Sequence, residues 1–218
     1  MDFRPIFISL KTASISIVCT FFLGIALAAW VTTIQSKKKR AMIDGILTLP
    51  MVLPPTVAGF FLLYIFGAKR PIGQIFEKIF GVSIVFSFGA TVIAAVAISL
   101  PLMYRSARGA IEQVDREVVL AARTLGLSEQ MIFWKIILPM ARPGILSGGI
   151  LAFTRGLGEF GATTMIAGNI AGKTRTLPLA IYSAVAAGDM KEAGNYVLIL
   201  VVFSFFAVMC IDVLGGKK

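Results

Sequence analysis

Uncharged, strongly apolar runs alternate with short charged clusters along the whole chain. No Asp, Glu, Lys or Arg occurs in residues 12–34, 46–68, 79–104 or 193–211. A helix needs about 20 apolar residues to cross a bilayer, and each run reaches or nearly reaches that length. Backbone in lipid must satisfy its own N–H and C=O groups, so these runs predict helices. A fifth stretch, 144–166, is apolar except for Arg155 and Glu159. A sixth, 176–188, has 13 uncharged residues, too short for a crossing and better suited to a re-entrant or interfacial helix. The pattern predicts an all-α integral membrane protein. Its five transmembrane helices cover about 6–34, 46–68, 79–104, 144–166 and 193–212, within one domain over 6–212.

Composition agrees. The chain is 57% hydrophobic and only 15% charged, far from the balance of a water-soluble domain. It has no histidine and two cysteines, Cys19 and Cys210. That removes His-ligated metal sites and both Ser-His-Asp and Cys-His catalysis, and no catalytic or metal-binding residue is assigned. The cysteines fall inside predicted spans, where they read as small apolar packers. The net charge of +10 needs no nucleic acid, because basic residues accumulate in the cytoplasmic segments of membrane proteins. With the N-terminus outside and the C-terminus inside, the inner segments hold 12 Lys and Arg and the outer ones 8. The inner set includes the cluster Lys37–Arg40, next to a span, and Lys217 and Lys218. Ala26-Leu27-Ala28 mimics a signal cleavage site, but the apolar run before it exceeds a signal core.

The long hydrophilic segment 105–142 is predicted to be cytoplasmic. Ile111, Val114, Val118, Ala121, Ala122 and Leu125 recur at helical spacing and make one face apolar. Gly126 suits a left-handed helix stop. Ser128 can cap a second helix that carries Glu129 in its first turn. Pro139 and Pro143 then mark the return to the membrane. A helix with such a face either lies on the bilayer surface or docks a partner.

Ala121-Ala122, then Gly126, then Ile136-x-Leu138-Pro139 resembles the loop motif of ATP-binding-cassette importer permeases. Its alanines, Gly, Ile, Leu and Pro all fall at the family spacing, and Leu120 stands where the family usually has Glu. The resemblance implies a coupling helix seated in a cleft of an ATPase subunit. The implied docking residues are Glu117, Leu120, Ala121, Ala122, Arg123, Thr124, Leu125, Gly126 and Leu127.

Arg155 lies some 11 residues beyond Gly144, roughly 17 Å along a helix of ~1.5 Å rise. An Arg at the bilayer centre costs about 2.5–3.5 kcal/mol on insertion scales, so it should face protein. Glu159, one helical turn on, can pair with it. The two form either a structural buried pair or an element of a transport path. Pro50, Pro54 and Pro55 interrupt the second span, as a simple kink or as the broken helix that borders a substrate path in transporters. Gly168, Gly172, Lys173 and Thr174 superficially resemble a phosphate loop. The first Gly is one residue out of register, and the segment follows a span rather than a strand.

Leu157-Gly158-Glu159-Phe160-Gly161-Ala162-Thr163, Ala167-Gly168-Asn169-Ile170 and Lys173-Thr174-Arg175-Thr176-Leu177-Pro178-Leu179-Ala180-Ile181-Tyr182 resemble permeases of molybdate importers. So do Leu49-Pro50 and Leu53-Pro54-Pro55-Thr56-Val57-Ala58-Gly59. Sulfate permeases share Gly-Glu-Phe-Gly but are usually longer. The resemblance implies a type I importer of the cell (inner) membrane. A second permease subunit, most simply an identical copy, completes the path. An ATPase dimer carries ATP and Mg²⁺, and an external binding protein delivers molybdate or tungstate. The chain itself then binds no cofactor. Pro54, Pro55, Thr56, Arg155, Gly158, Glu159, Gly161 and Thr163 are the implied pathway or gate positions. Sulfate or another solute on the same fold, and an ATPase-independent channel or secondary transporter, are the competing readings.

Overall fold

The computed structural model describes residues 1–215, with side chains to residue 210; Lys217 and Lys218 lie outside the described residues. The described chain is helical, with no strand. Helices α1 (Arg4–Thr32), α5 (Phe88–Glu112) and α8 (Leu138–Leu157) form its packed centre. Lipid tails are as apolar as Leu, so helices in lipid associate through close approach of small residues and through hydroxyl bonds. This centre is built that way. Thr12 Oγ1 lies 2.8 Å from Thr91 Oγ1, and Thr20 Oγ1 lies 3.2 Å from Ser99 Oγ. Gly24 accommodates Met103 in the same parallel register. Antiparallel α8 places Gly148 against Ser106 and Gly144 against Ala110, where an added Cβ would come within 2.3 and 2.8 Å of those side chains.

The second predicted span is two helices, α2 (Lys37–Val52) and α3 (Pro55–Phe66), bent by 111°. A proline pushes the residue before it out of the α region. Leu53 precedes Pro54 and Pro54 precedes Pro55, and both are extended, with ψ of 145° and 135°. Pro55 then opens α3, while Pro50 stays inside α2. Among the described residues four helices are long and apolar enough to cross a membrane, or five if the bent pair counts as one span.

Two other boundaries depart from the apolar runs. The third span begins at Phe88, not 79. Gly81, at φ 68°, closes α4 (Pro71–Phe80), and Ser87 accepts the Ala90 N–H at 3.3 Å to cap α5. Absence of charge carries no information about such a turn. The fourth begins well before 144 and ends before 166. Ser128 caps α7 (Glu129–Ile132), which continues through a widened π-helical turn, Phe133–Ile137, into α8. In that turn the Leu138 N–H reaches back five residues to the Phe133 carbonyl. The altered pairing absorbs the N–H that Pro139 lacks, so Pro139 and Pro143 fall within a continuous helical run and do not break it. After α8 a short break leads to α9 (Gly161–Ala167).

Two further helices follow among the described residues, α10 (Leu177–Ala186) and α11 (Met190–Gly215). They join the start of α1 at one end of the molecule. Ser9 Oγ accepts the Leu177 N–H at 2.7 Å, and the Tyr196 hydroxyl donates to the Asp2 carbonyl at 2.9 Å. The opposite end carries Lys37–Arg40, the end of α5, and α6 (Arg116–Thr124). Cys19 and Cys210 are exposed rather than packed inside; Cys210 lines an open apolar groove beside Phe21 of α1 and Gly149 of α8.

Gly59 of α3 meets α9 so closely that a Cβ there would sit 2.7 Å from the Ala162 Cα. Gly59→Ala should therefore destabilise the protein by about 1–3 kcal/mol, as overpacking does. Gly194, with open space around it in α11, is the contrast: Gly194→Ala should stabilise by up to ~1 kcal/mol through helix propensity. Thermal melts of the two detergent-solubilised variants check the opposite signs.

Candidate functional site

One candidate site is the elbow between α6 and α7. Asp115 opens α6 by accepting the Glu117 N–H at 2.8 Å. Of the predicted docking residues, Glu117, Leu120, Ala121, Thr124 and Leu125 are exposed, and Leu125 is 80% exposed. Ala122 points the other way and is 3% exposed. Val119 and Leu127 are half-buried on that inner side. The helix ends in a paired closure. The Leu127 N–H bonds the Ala122 carbonyl at 3.2 Å, and the Gly126 N–H bonds the Arg123 carbonyl at 3.0 Å. This motif needs a left-handed residue just past the helix, and Gly126 supplies it at φ 81°. Arg123 spans the turn and grips Glu129 with two parallel bonds, Nε–Oε1 at 2.7 Å and Nη2–Oε2 at 3.0 Å. The bridge fixes the angle at which α6 leaves α7. It also occupies two of the elbow's charges, leaving Leu120, Ala121 and Leu125 as an apolar outer face. Behind the elbow is a groove of about 1030 Å³, lined by Trp30, Gln35, Arg116, Phe133 and Trp134 among others.

The second site is the junction of the two broken helices. Gly161, at the start of α9, packs against Pro55 and Thr56, at the start of α3; a Cβ there would lie 3.0 Å from the Pro55 Cβ. Glu159 is 2% exposed and its carboxylate has both oxygens occupied. Arg155 Nη1 donates to Oε2 at 2.8 Å, and the Ala162 N–H donates to Oε1 at 2.8 Å. One carboxylate thus closes α8 and anchors α9. The far end of α9 is held by Phe86, whose N–H bonds the Ile166 carbonyl at 3.1 Å. Phe86 has φ 57°, a strained value for an aromatic residue. Thr163 is buried, and Gly158 and Pro54 are exposed at the two breaks. Because the helix begins at Glu129 and ends at Leu157, Arg155 stands in its last turn, not midway along a span that begins at Gly144.

The phosphate-loop lookalike is a structural turn. Gly168 and Gly172 take positive φ. Thr174 is fully buried, and its hydroxyl accepts the Ile170 N–H at 3.0 Å. Arg175 and Ser183 both bind the Asn169 side chain, at 2.8 Å each.

Sequence reasoning missed a polar seam between α2 and α5. Arg40, Asp44 and Thr48 recur every fourth residue on α2, and Tyr104, Arg108 and Glu112 do so on α5. Arg40 pairs with Glu112, and Arg108 with Asp44. The Tyr104 hydroxyl donates to Asp44, and Arg108 Nε also reaches Glu112 at 2.9 Å. The matched spacings were visible; that the two helices lie side by side was not.

Comparison with known proteins places this architecture. The chain belongs to the family of binding-protein-dependent transport system inner membrane components, whose model matches residues 20–216. It is 41% identical to the putative molybdenum transport system permease protein YvgM of Bacillus subtilis, over 96% of this chain and 92% of that protein. It is 37% identical to the molybdenum transport system permease protein ModB of Escherichia coli, covering 95% and 91%. Among solved structures, a chain of the MetNI methionine ABC transporter in an inward-facing conformation superposes with a TM-score of 0.76. It shares 15% identity, with 99% of this chain and 95% of that chain covered. A chain of a bacterial alginate ABC transporter gives 0.74 at 16% identity, over 98% and 78%. At that identity the likeness is one of fold: the all-helical arrangement of type I ABC importer permeases.

Proposed function

We propose that this chain is the membrane-spanning subunit of an ATP-driven importer for molybdate, with tungstate as its close mimic. The observation that carries the reading is 37–41% identity to molybdenum permeases over nearly the whole chain. Two copies of the chain form the path, an external protein delivers the oxyanion, and an ATPase pair docks on the α6–α7 elbows. ATP and Mg²⁺ are bound by that pair and not by this subunit. The N-terminus is outside and the C-terminus inside, so the elbow and Lys37–Arg40 share the cytoplasmic end. That placement agrees with the excess of basic residues expected there.

The chemistry required of the chain is conformational. It needs two packings of similar free energy, which nucleotide on the partner biases. Leu120, Ala121 and Leu125 fill the partner's cleft, and the closure at Gly126 makes α6 stiff enough to transmit its movement. On the path, Arg155 offers an oxyanion the N–H groups that Glu159 does not use, while Pro54, Pro55, Thr56 and Gly161 form the contact at which the two breaks move together.

The test is uptake into liposomes holding the permease with its co-expressed ATPase and binding protein. Molybdate and tungstate should enter in an ATP-dependent manner, and sulfate poorly. Uptake without the ATPase, or sulfate preferred over molybdate, would refute the reading.

A further inference from the structure

The helices of the centre and helix α2 are attached to α5 in physically different ways. Helices α1 and α8 meet α5 through buried hydroxyls and glycines at contact distance. Such interfaces are close-packed and resist sliding. Helix α2 has no buried residue. It lies on the C-terminal half of α5 through the polar seam, an antiparallel ladder, with the partly buried Ile43 and Leu47 as its apolar contacts beside it. Each four-residue step along α2 answers a four-residue step back along α5: Arg40 with Glu112, Asp44 with Arg108, Thr48 beside Tyr104. Open cavities of about 340 and 550 Å³ flank the rungs and are lined by the same residues. A charged rung that opens into such a cavity exchanges its partner for water, at a cost far below that of breaking a dry interface.

The ladder joins two elements that have to move together. Its Glu112 end is four residues from Arg116, the first residue of α6. The far end of α2 is the Leu53–Pro54 break, beyond which α3 packs on α9. We infer that the Asp44–Arg108 and Arg40–Glu112 pairs form a breakable latch between α2 and α5, through which displacement of the docking elbow is passed to the broken span. Asp44 and Arg108 are positioning residues: they act on transport by holding α2, and need touch neither oxyanion nor nucleotide.

This rests on the importer reading, and the experiment separates the two. Asp44→Asn and Arg108→Gln are each assembled with the co-expressed ATPase and reconstituted with the binding protein. ATPase co-purification should be unchanged. ATP hydrolysis per molybdate transported should rise roughly fivefold or more, the low end of coupling between distant sites. The double variant should behave like either single one, and the conservative Asp44→Glu should retain coupling. Unchanged coupling with intact co-purification overturns the latch and leaves the importer reading standing; failure of the unaltered chain to co-purify overturns the importer reading itself. A second measurement covers the case in which the neutral variants do not fold. Gly45→Cys, in a background with Cys19 and Cys210 replaced by Ser, places a thiol in the cavity beside the latch. Its labelling by a membrane-impermeant maleimide should change severalfold when the complex is trapped with ATP and vanadate. Equal labelling in both states overturns the latch.

Discussion

Gly126→Val should leave the protein in the membrane and abolish its association with the ATPase. Gly126 sits at φ 81° with open space around it, so the obstacle is the backbone and not a neighbour. A β-branched residue in that region is strongly disfavoured, and a left-handed conformation costs roughly 1–2 kcal/mol even for an ordinary L-residue. The closing bonds to Ala122 and Arg123 would open, and the last turn of α6 would lose its direction relative to α7. Gly126→Asn is the control, because Asn tolerates the left-handed region, and it should still bind. Affinity purification of the ATPase through a tag on the permease reads both. About tenfold less ATPase with Val and near-normal recovery with Asn is the expected outcome. Equal recovery with both would remove the elbow from the docking surface.

The second large effect is expected at Glu159. Removing one partner of a fully buried ion pair costs about 3–5 kcal/mol; the cost of losing Glu159 is smaller than that, because Arg155 is 37% exposed and water can solvate it. Glu159→Ala would strand Arg155 and also free the Ala162 N–H at the start of α9. Glu159→Gln keeps an oxygen for that N–H but loses the ion pair, so it should fall between alanine and the unaltered protein. Arg155→Gln removes the more exposed half of the pair and leaves the buried Glu159 carboxylate with only the Ala162 N–H, so it should destabilise at least as much as Glu159→Gln. Melting curves of the purified permease order the three variants. Glu159→Ala melting like the unaltered chain would show that the carboxylate carries no structural burden.

These two sites were legible in the sequence to different degrees. The elbow was almost fully readable, because each of its parts is local. Ser128 caps three residues ahead, Gly126 closes the helix behind it, and Glu129 lies within reach of Arg123. What could not be read is which alanine faces outward, since Ala121 and Ala122 differ only in where the rest of the protein lies. The junction was readable as two separate clusters. Prolines at 54 and 55 announce a break, and Gly158 with Gly161 announce another. That Gly161 rests on Pro55, and Gly59 on Ala162, depends on contacts about a hundred residues apart along the chain. The boundaries at 79–88 and 138–144 went astray for another reason. Charge-free runs measure what lipid tolerates, while Gly81, Ser87 and the π turn before Pro139 decide where hydrogen-bonded turns begin and end.

The hydroxyl and glycine lining of the α1–α5–α8 centre turns the familiar pattern of mutational tolerance inside out. In a water-soluble protein the large aliphatic interior is what substitution damages. Here many bulky aliphatic and aromatic positions, such as Phe22, Leu198 and Phe205, are exposed, and acyl chains scarcely distinguish one such side chain from another. Drift among close relatives should therefore be fastest at the greasiest positions. It should be slowest at modest residues such as Thr12, Thr20, Gly24, Ser99 and Gly148, where a single added methyl group has nowhere to go.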